Sequence, residues 1–363
     1  MAYDGKIMRR ALLRFEEDKQ QRQARTRERR EGIFAREPRL REIENELSAT
    51  ISKVIAGALR HGTDPQPVIN RLRDENLSLQ EEKRRLLAEM SLPADALEER
   101  PACVLCDDTG YRGGAVCRCL KSYYTREQQK ELSRMLDLGS QSFDTFDLEW
   151  YPETLLAGKS ISYRRHMEET VLNACQEFAM GFGKRTENLL LCGKPGLGKT
   201  HLSAAIAREV SDQGFSVVYD TAAHVFERFE SHKFSREEDE ATASDVERIL
   251  NCDLLILDDL GTEMTTTFVQ SALYQIINTR LMERKSTIIS SNLSPDKIAQ
   301  RYSDQIASRI EGEYQVLGFV GEDIRKLKKQ GRDIKTPAVW RAFFYLVFCS
   351  PLPMAVPASA ITA

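Results

Sequence analysis

Apolar positions along this chain change their period several times, and each change predicts a different kind of element. From Met1 to Glu37 Arg, Lys and Glu dominate, with Ile7, Leu12, Leu13 and Phe15 as early apolar residues, which reads as a solvated helix or a fraying segment. Leu40, Ile43, Leu47, Ile51, Val54 and Ala58 follow three-and-four spacing, so one apolar stripe is expected on a helix ending near His61 and Gly62. Past a turn at Thr63–Pro67 a second helix is expected from Val68 to Met90. There Leu72, Leu79 and Leu86 lie a heptad apart, with Ile69, Asn76, Lys83 and Met90 interleaved. The two stripes suit a helical hairpin. It reads as a spacer or as an arm offering its stripe to a partner protein; the second is preferred, because so small a hairpin has no core of its own.

Further along, a helical stretch is expected around Ser122–Asp137, and Ser142–Pro152 reads as an irregular linker carrying Phe143, Phe146, Trp150 and Tyr151. A helix from Arg164 to Phe182 ends at Gly181-Phe182-Gly183, with glycine where a C-cap wants it. Strand-like runs then alternate with helical ones. Leu189–Cys192, Ser216–Tyr219, Asp253–Leu257 and Ser286–Asn292 are short and of buried type, with helices expected after the first, over Ala222–Glu230 and over Asp245–Leu250. This alternation predicts an α/β fold with a parallel sheet covered by helices on both faces.

Bulk properties narrow this only slightly. With 363 residues and 41% hydrophobic content, the chain can build at least one large core and two or three domains. A net charge of -3 carries no global nucleic-acid signature, so any basic surface must be local. No signal peptide is legible at the N-terminus, which predicts a cytoplasmic protein whose eight cysteines are thiols.

Chemistry enters after the Leu189–Cys192 strand. Gly193, Lys194, Pro195, Gly196, Leu197, Gly198, Lys199 and Thr200 complete the pattern G-x-x-x-x-G-K-T, followed by His201 and a helix. The glycines let backbone amides turn toward an anion, Lys199 supplies a point charge to the β- and γ-phosphates, and Thr200 can hold Mg2+. The pattern predicts ATP binding. Asp258 and Asp259 end the Asp253–Leu257 run, one acid suited to the metal and the other to activating water, with Glu263 in reserve for the second role. Asn292, the polar amide that ends the next strand, is placed to orient that water, or simply opens the turn before Pro295. Arg309 and Arg325 are candidates for spreading negative charge in phosphoryl transfer.

A second cluster lies upstream. Cys103 and Cys106 have C-x-x-C spacing, glycines follow, and Cys117 and Cys119 close the set. Four thiolates predict a closed structural Zn2+ site; free buried thiols or a redox dithiol are the alternative, and the less usual C-x-C spacing leaves room for another ligand in place of one of the pair.

Together the phosphate loop, Asp258-Asp259-Leu260-Gly261, Ser291-Asn292, Ser308-Arg309 and Arg325 resemble the AAA+ ATPases that load bacterial replicative helicases, the DnaC and DnaI type. The Cys103–Cys119 segment is similar to the zinc-bearing part of the DnaI-like branch, and the match covers residues 100 to 330. The resemblance implies Asn292 as sensor 1, Arg309 as a finger acting on a neighbouring subunit's ATP, and Arg325 as sensor 2. It further implies a replicative helicase of DnaB type and single-stranded DNA as partners and self-association through the ATPase domains; no membrane partner is expected, on the ground of the interrupted C-terminal tail. A transposition helper ATPase of the IstB type and a nucleotide-gated scaffold without significant turnover are the alternatives. The expected organisation is a helical arm over 1–100, a zinc module over 101–140, an AAA+ domain over 141–335 and an irregular apolar tail over 336–363. In that tail Arg341, Pro351, Pro353 and Pro357 interrupt the apolar run, leaving it too short for a membrane span.

Overall fold

The computed structural model describes residues 3–61, 66–234 and 240–330. The 336–363 tail and most of the turn expected at 63–67 lie outside the described residues. Helices α1 (Gly5–Arg36), α2 (Pro38–His61) and α3 (Gln66–Glu89) come first, then strands β1 (Tyr111–Arg112) and β2 (Ala115–Val116) and helix α4 (Arg118–Leu132). Helix α5 (Tyr163–His166) runs through a π-helical turn, Met167–Leu172, into α6 (Asn173–Gly181). After these come β3 (Leu189–Cys192), α7 (Lys199–Asp212), β4 (Val217–Thr221), α8 (Ala222–Phe234), α9 (Glu240–Asn251) and β5 (Leu254–Leu260). The last elements are α10 (Thr267–Met282), β6 (Ser286–Ser291), α11 (Pro295–Arg301), α12 (Asp304–Glu313), β7 (Gln315–Gly318) and α13 (Ile324–Lys329). Among the described residues no helix is long and apolar enough to cross a membrane.

The chain divides into two compact units, one of residues 9–124 and one joining the first eight residues to those from 125 onward. In the smaller unit the N-terminal stretch is a continuous helix and does not fray. Ala11 and Phe15 are buried on one face of α1, where i, i+4 spacing sets them, while Leu13 points to solvent. The pairing of α2 with α3 is fixed by Arg39 on Glu82 at 3.0 Å and Lys83 on Glu44 at 2.9 Å, and Ile33, Phe34, Leu40, Leu87 and Leu97 form a small core at that end. The cysteine segment packs on the middle of α1. Phe15 meets Tyr123 edge to face at 5.5 Å, Tyr123 donates to Asp18 at 2.7 Å, and Arg22 pairs with Asp108 at 3.1 Å. Helix α4 starts at Arg118, four residues before the expected stretch, which puts Cys119 in its first turn.

The larger unit is a five-stranded sheet in the order β4-β5-β6-β3-β7, every neighbouring pair parallel. Alternation along the strands divides its side chains between two cores. Leu189, Leu191, Leu254, Ile256 and Ile288 face α6 and α7, where they meet Phe178, Leu202 and Ile206. Leu190, Leu255, Leu257 and Ile289 face the other way, against Phe226, Ile249, Leu273 and Ile276 of α8, α9 and α10. Burial on both faces is why these strands read as continuous apolar runs. In such a sheet ligands lie beyond the carboxyl ends of the strands, at the point where the strand order reverses. Here that point is the end of β3.

Candidate functional site

Beyond β3 the backbone turns with geometry that only glycine can hold. Gly193 has φ +149°, and a Cβ there would stand 2.5 Å from the carbonyl oxygen of Phe319, the residue that follows β7. Gly198, at φ +89°, is the left-handed N-cap of α7, and a Cβ would lie 2.8 Å from the Phe146 ring. The 142–152 linker is thus part of the loop's support: Tyr151 is buried and donates its hydroxyl to Leu197 O at 2.8 Å. From the other side Ile324 N donates to Gly196 O at 3.0 Å, which seats α13 against the loop, while Lys194 and Pro195 are exposed.

Four strand ends bring the polar groups together. Lys199 is buried, with Nζ 2.7 Å from Gly193 O, 3.0 Å from Lys194 O and 2.8 Å from Asn292 Oδ1, so the residue after β6 meets the loop lysine. Thr200 Oγ1 donates to Asp258 Oδ2 at 3.3 Å. Asp258 is 3% exposed and also accepts from the hydroxyls of Ser290 and Tyr219. Strand β5 runs past the two acids to Leu260, with its register against β6 shifted between Leu257 and Leu260. Asp259 sits in this irregularity at φ +54°, exposed, with its amide on Asp258 Oδ1 at 3.1 Å. The left-handed conformation is one that Asp tolerates better than longer side chains do.

The charges of this group act on one another. Burial lowers the Lys199 pKa and Arg325 adds to that effect, while Asp259 and Asp258 oppose it. Burial raises the Asp259 pKa, as does Asp258, with Lys199 and Arg325 opposing. Arg325, in the first turn of α13, therefore lies within electrostatic reach of both the loop lysine and the second acid. A carboxylate whose pKa is raised is a better proton acceptor, which suits Asp259 to base chemistry.

Other expected residues stand elsewhere. Both carboxylate oxygens of Glu263 are engaged, Oε1 by the Tyr302 hydroxyl and Oε2 by Gly261 N at 3.0 Å. His201 turns to the linker, its Nε2 2.9 Å from Ser142 O and its ring edge-on to Phe146. Arg309, on α12, bonds the Tyr274 hydroxyl at 3.1 Å and lies over that ring at 5.1 Å from its centre. Tyr219 and Ser290 were not singled out from sequence. Each faces Asp258 by strand register, which a single chain of letters does not print.

In the smaller unit the sulfurs of Cys103, Cys106, Cys117 and Cys119 all lie within 4.8 Å of one another. Cys103 and Cys117 are 3.8 Å apart and Cys106 and Cys119 3.5 Å, against about 3.8 Å for edges of a tetrahedron with Zn–S bonds of about 2.3 Å. Burial opposes ionisation of Cys106, yet the Gly110 amide and the other three thiols hold its pKa down to about 7, whereas burial and the same neighbours push Cys119 up. A cluster of four cysteine donors of this shape could hold a metal ion.

Against known families, the model described as IstB-like ATP binding protein matches residues 160–330, the span that carries every one of these loop and strand-end groups. The match covers a little under half of the chain and marks this segment as similar to that family. Curated relatives of the chain include the replicative helicase loader DnaC of Buchnera aphidicola subsp. Baizongia pistaciae (strain Bp), 30% identical over 123 residues, 34% of this chain and 50% of that one. The replicative helicase loader DnaC of Escherichia coli (strain K12) is 24% identical over 140 residues, 38% of this chain and 56% of that one. The chain thus spans about half the length of the curated relatives it matches. Among solved structures, the DnaC helicase loader is 22% identical with a TM-score of 0.42, over 51% of this chain and 99% of that one. DnaI is 23% identical with a TM-score of 0.40, over 52% and 92%.

Proposed function

We propose that the protein is an ATP-dependent loader of a replicative DNA helicase of DnaB type, working in the cytoplasm without a membrane partner. ATP binding and contact between ATPase domains would switch its grip on the helicase and on single-stranded DNA, and hydrolysis would reset it. The observation that carries the chemical half of this reading is the convergence of Lys199 with Asn292 and of Thr200 with Asp258 across three strand ends. Names of relatives at 24–30% identity support the biological half.

In this reading Lys199 and the loop amides bind the β- and γ-phosphates, and Thr200 with Asp258 holds Mg2+, which neutralises phosphate charge when bound. Asp259 accepts the proton of the attacking water as its oxygen bonds to the γ-phosphorus. The bond from that phosphorus to the β–γ bridging oxygen breaks, releasing ADP and inorganic phosphate. Asn292 orients the water, Arg325 spreads the developing charge, and Arg309 serves a neighbouring subunit's site. Zn2+ on Cys103, Cys106, Cys117 and Cys119 would be structural, because four thiolates leave no open coordination position.

The family description of residues 160–330 favours one other reading, a transposition helper of the IstB type. Turnover with and without single-stranded DNA, run on the wild type, Lys199→Ala and Asp259→Asn, tests the proposal alongside a pull-down with a DnaB-type helicase. DNA-responsive turnover abolished by both changes, with helicase captured, is the expected result. Turnover that responds only to duplex DNA, with no helicase captured, would select the transposition helper.

A further inference from the structure

Asp258 is enclosed by hydroxyl groups on three separate elements: Thr200 on α7, Tyr219 on β4 and Ser290 on β6. Among the described residues it makes no ion pair within 4 Å, so its orientation depends on these donors and on the Asp259 amide, which holds Oδ1. The way Tyr219 reaches it follows from register. Strands β4 and β5 are parallel with Tyr219 opposite Ile256 and Thr221 opposite Asp258, so Tyr219 starts two residues behind the acid and on the same sheet face. Two residues of strand advance about 6.6 Å, a gap that a phenol side chain leaning along the strand can span and that Ser or Thr cannot. The ring itself packs on the α7-side core that contains Val217 and Ile256, a role that phenylalanine would fill equally well.

We propose that Tyr219 is a positioning residue for Asp258. Its hydroxyl on Oδ2 and that of Ser290 on Oδ1 fix the plane of the carboxylate, so that Oδ2 is presented to Thr200 as the second protein oxygen for Mg2+. This rests on the nucleotide reading above and extends it to a residue outside the phosphate loop and the acid pair. With Thr200 turned to Mg2+, Tyr219 would be the hydroxyl left on Oδ2, while Ser290 and the Asp259 amide hold Oδ1; a terminal carboxylate torsion is broad and two-fold, so an acid then held at Oδ1 only is free to turn. A hydrogen bond to a charged group corresponds to about a tenfold effect.

The full chain is tested by ATP turnover as a function of Mg2+ concentration and by calorimetric ATP titration in excess Mg2+ or in EDTA. Tyr219→Phe is expected to need about tenfold more Mg2+ for half-maximal turnover, with its ATP affinity in EDTA and its urea midpoint those of the wild type. Ser290→Ala should shift the Mg2+ requirement in the same direction, and Tyr219→Phe should add nothing in an Asp258→Asn background, measured as Mg2+-dependent ATP affinity. Wild-type Mg2+ dependence in Tyr219→Phe overturns the proposal, as does a Tyr219→Phe chain that fails to fold, since the hydroxyl would then be structural. A wild-type chain that binds no ATP under either condition overturns the nucleotide reading instead.

Discussion

A single methyl group at Gly193 should damage this protein far more than the same methyl at Gly181. At Gly193 the added Cβ would stand 2.5 Å from Phe319 O and 2.9 Å from Phe319 Cβ. Ordinary contacts to carbon lie near 3.5 Å, so about 1 Å of displacement is required. Phe319 cannot supply it cheaply: it is buried, and its amide donates to Cys192 O at 2.7 Å, which ties the end of β7 to the end of β3. To the overlap, about 1–3 kcal/mol, is added about 1–3 kcal/mol for an alanine at φ +149°. The expected loss is about 4 kcal/mol, a large part of the roughly 5–15 kcal/mol that holds a domain together. At Gly181, the last residue of α6, nothing lies within 4 Å of the added atom, and alanine should gain about 0.5–1 kcal/mol. Urea unfolding of both variants reads the stabilities, and ATP titration reads the loop. Gly193→Ala as stable as the wild type and binding ATP equally well would refute the close approach of β7 to the loop.

Other perturbations give sharper or simpler outcomes. Asp259→Asn should keep ATP binding and lose turnover, and because burial raises the Asp259 pKa, the acid limb of the pH–rate profile should lie above the ordinary aspartate value, activity falling as pH drops through it; a limb at or below the ordinary value counts against Asp259 as the base. Stripping metal from the purified full chain should release about one equivalent of zinc and expose the Cys103–Cys119 segment to thiol reagents, whereas less than about half an equivalent under reducing conditions argues against the site. Arg280 is fully buried and donates to Ile249 O, Leu250 O, Cys252 O, Ser286 O and Thr287 Oγ1, so Arg280→Met should cost upward of about 3 kcal/mol in urea unfolding by orphaning buried carbonyls.

What could be read from the letters was whatever depends on local spacing. The phosphate loop, the doubled acid and the short strands are written in consecutive residues, and the alternation of strand and helix implies a parallel sheet. Tyr219 and Ser290 were out of reach because they meet Asp258 only through the pairing of β4, β5 and β6, a fact about strand order. The left-handed turn at Asp259 is equally invisible, since it arises from a register shift between two strands. Glu263 looked available in sequence, yet Tyr302 from the turn after α11 closes on it. The N-terminal helix is a different case. Ile7, Ala11 and Phe15 carry the i, i+4 signal of a buried face, but an alanine among so many charges is easily passed over.

Arg309 poses the question of which chain it serves. Among the described residues its side chain engages Tyr274 by hydrogen bond and by ring contact and bonds none of Gly193–Thr200, whereas Arg325 already acts electrostatically on Lys199 and Asp259. One guanidinium is thus near enough to its own loop to influence Lys199 and Asp259 and the other stands apart on α12, the arrangement expected if the second is donated across a subunit boundary. A guanidinium that stabilises a phosphoryl-transfer transition state is worth about 10³-fold or more in turnover, so Arg309→Ala alone should be nearly inactive, as should Lys199→Ala. Mixed, the two variants should recover measurable turnover, because the Lys199→Ala chain still offers Arg309 and the Arg309→Ala chain still binds ATP. If Arg309 served the loop of its own chain, every subunit in the mixture would lack one required group, and turnover would stay at the level of the separate variants at every mixing ratio.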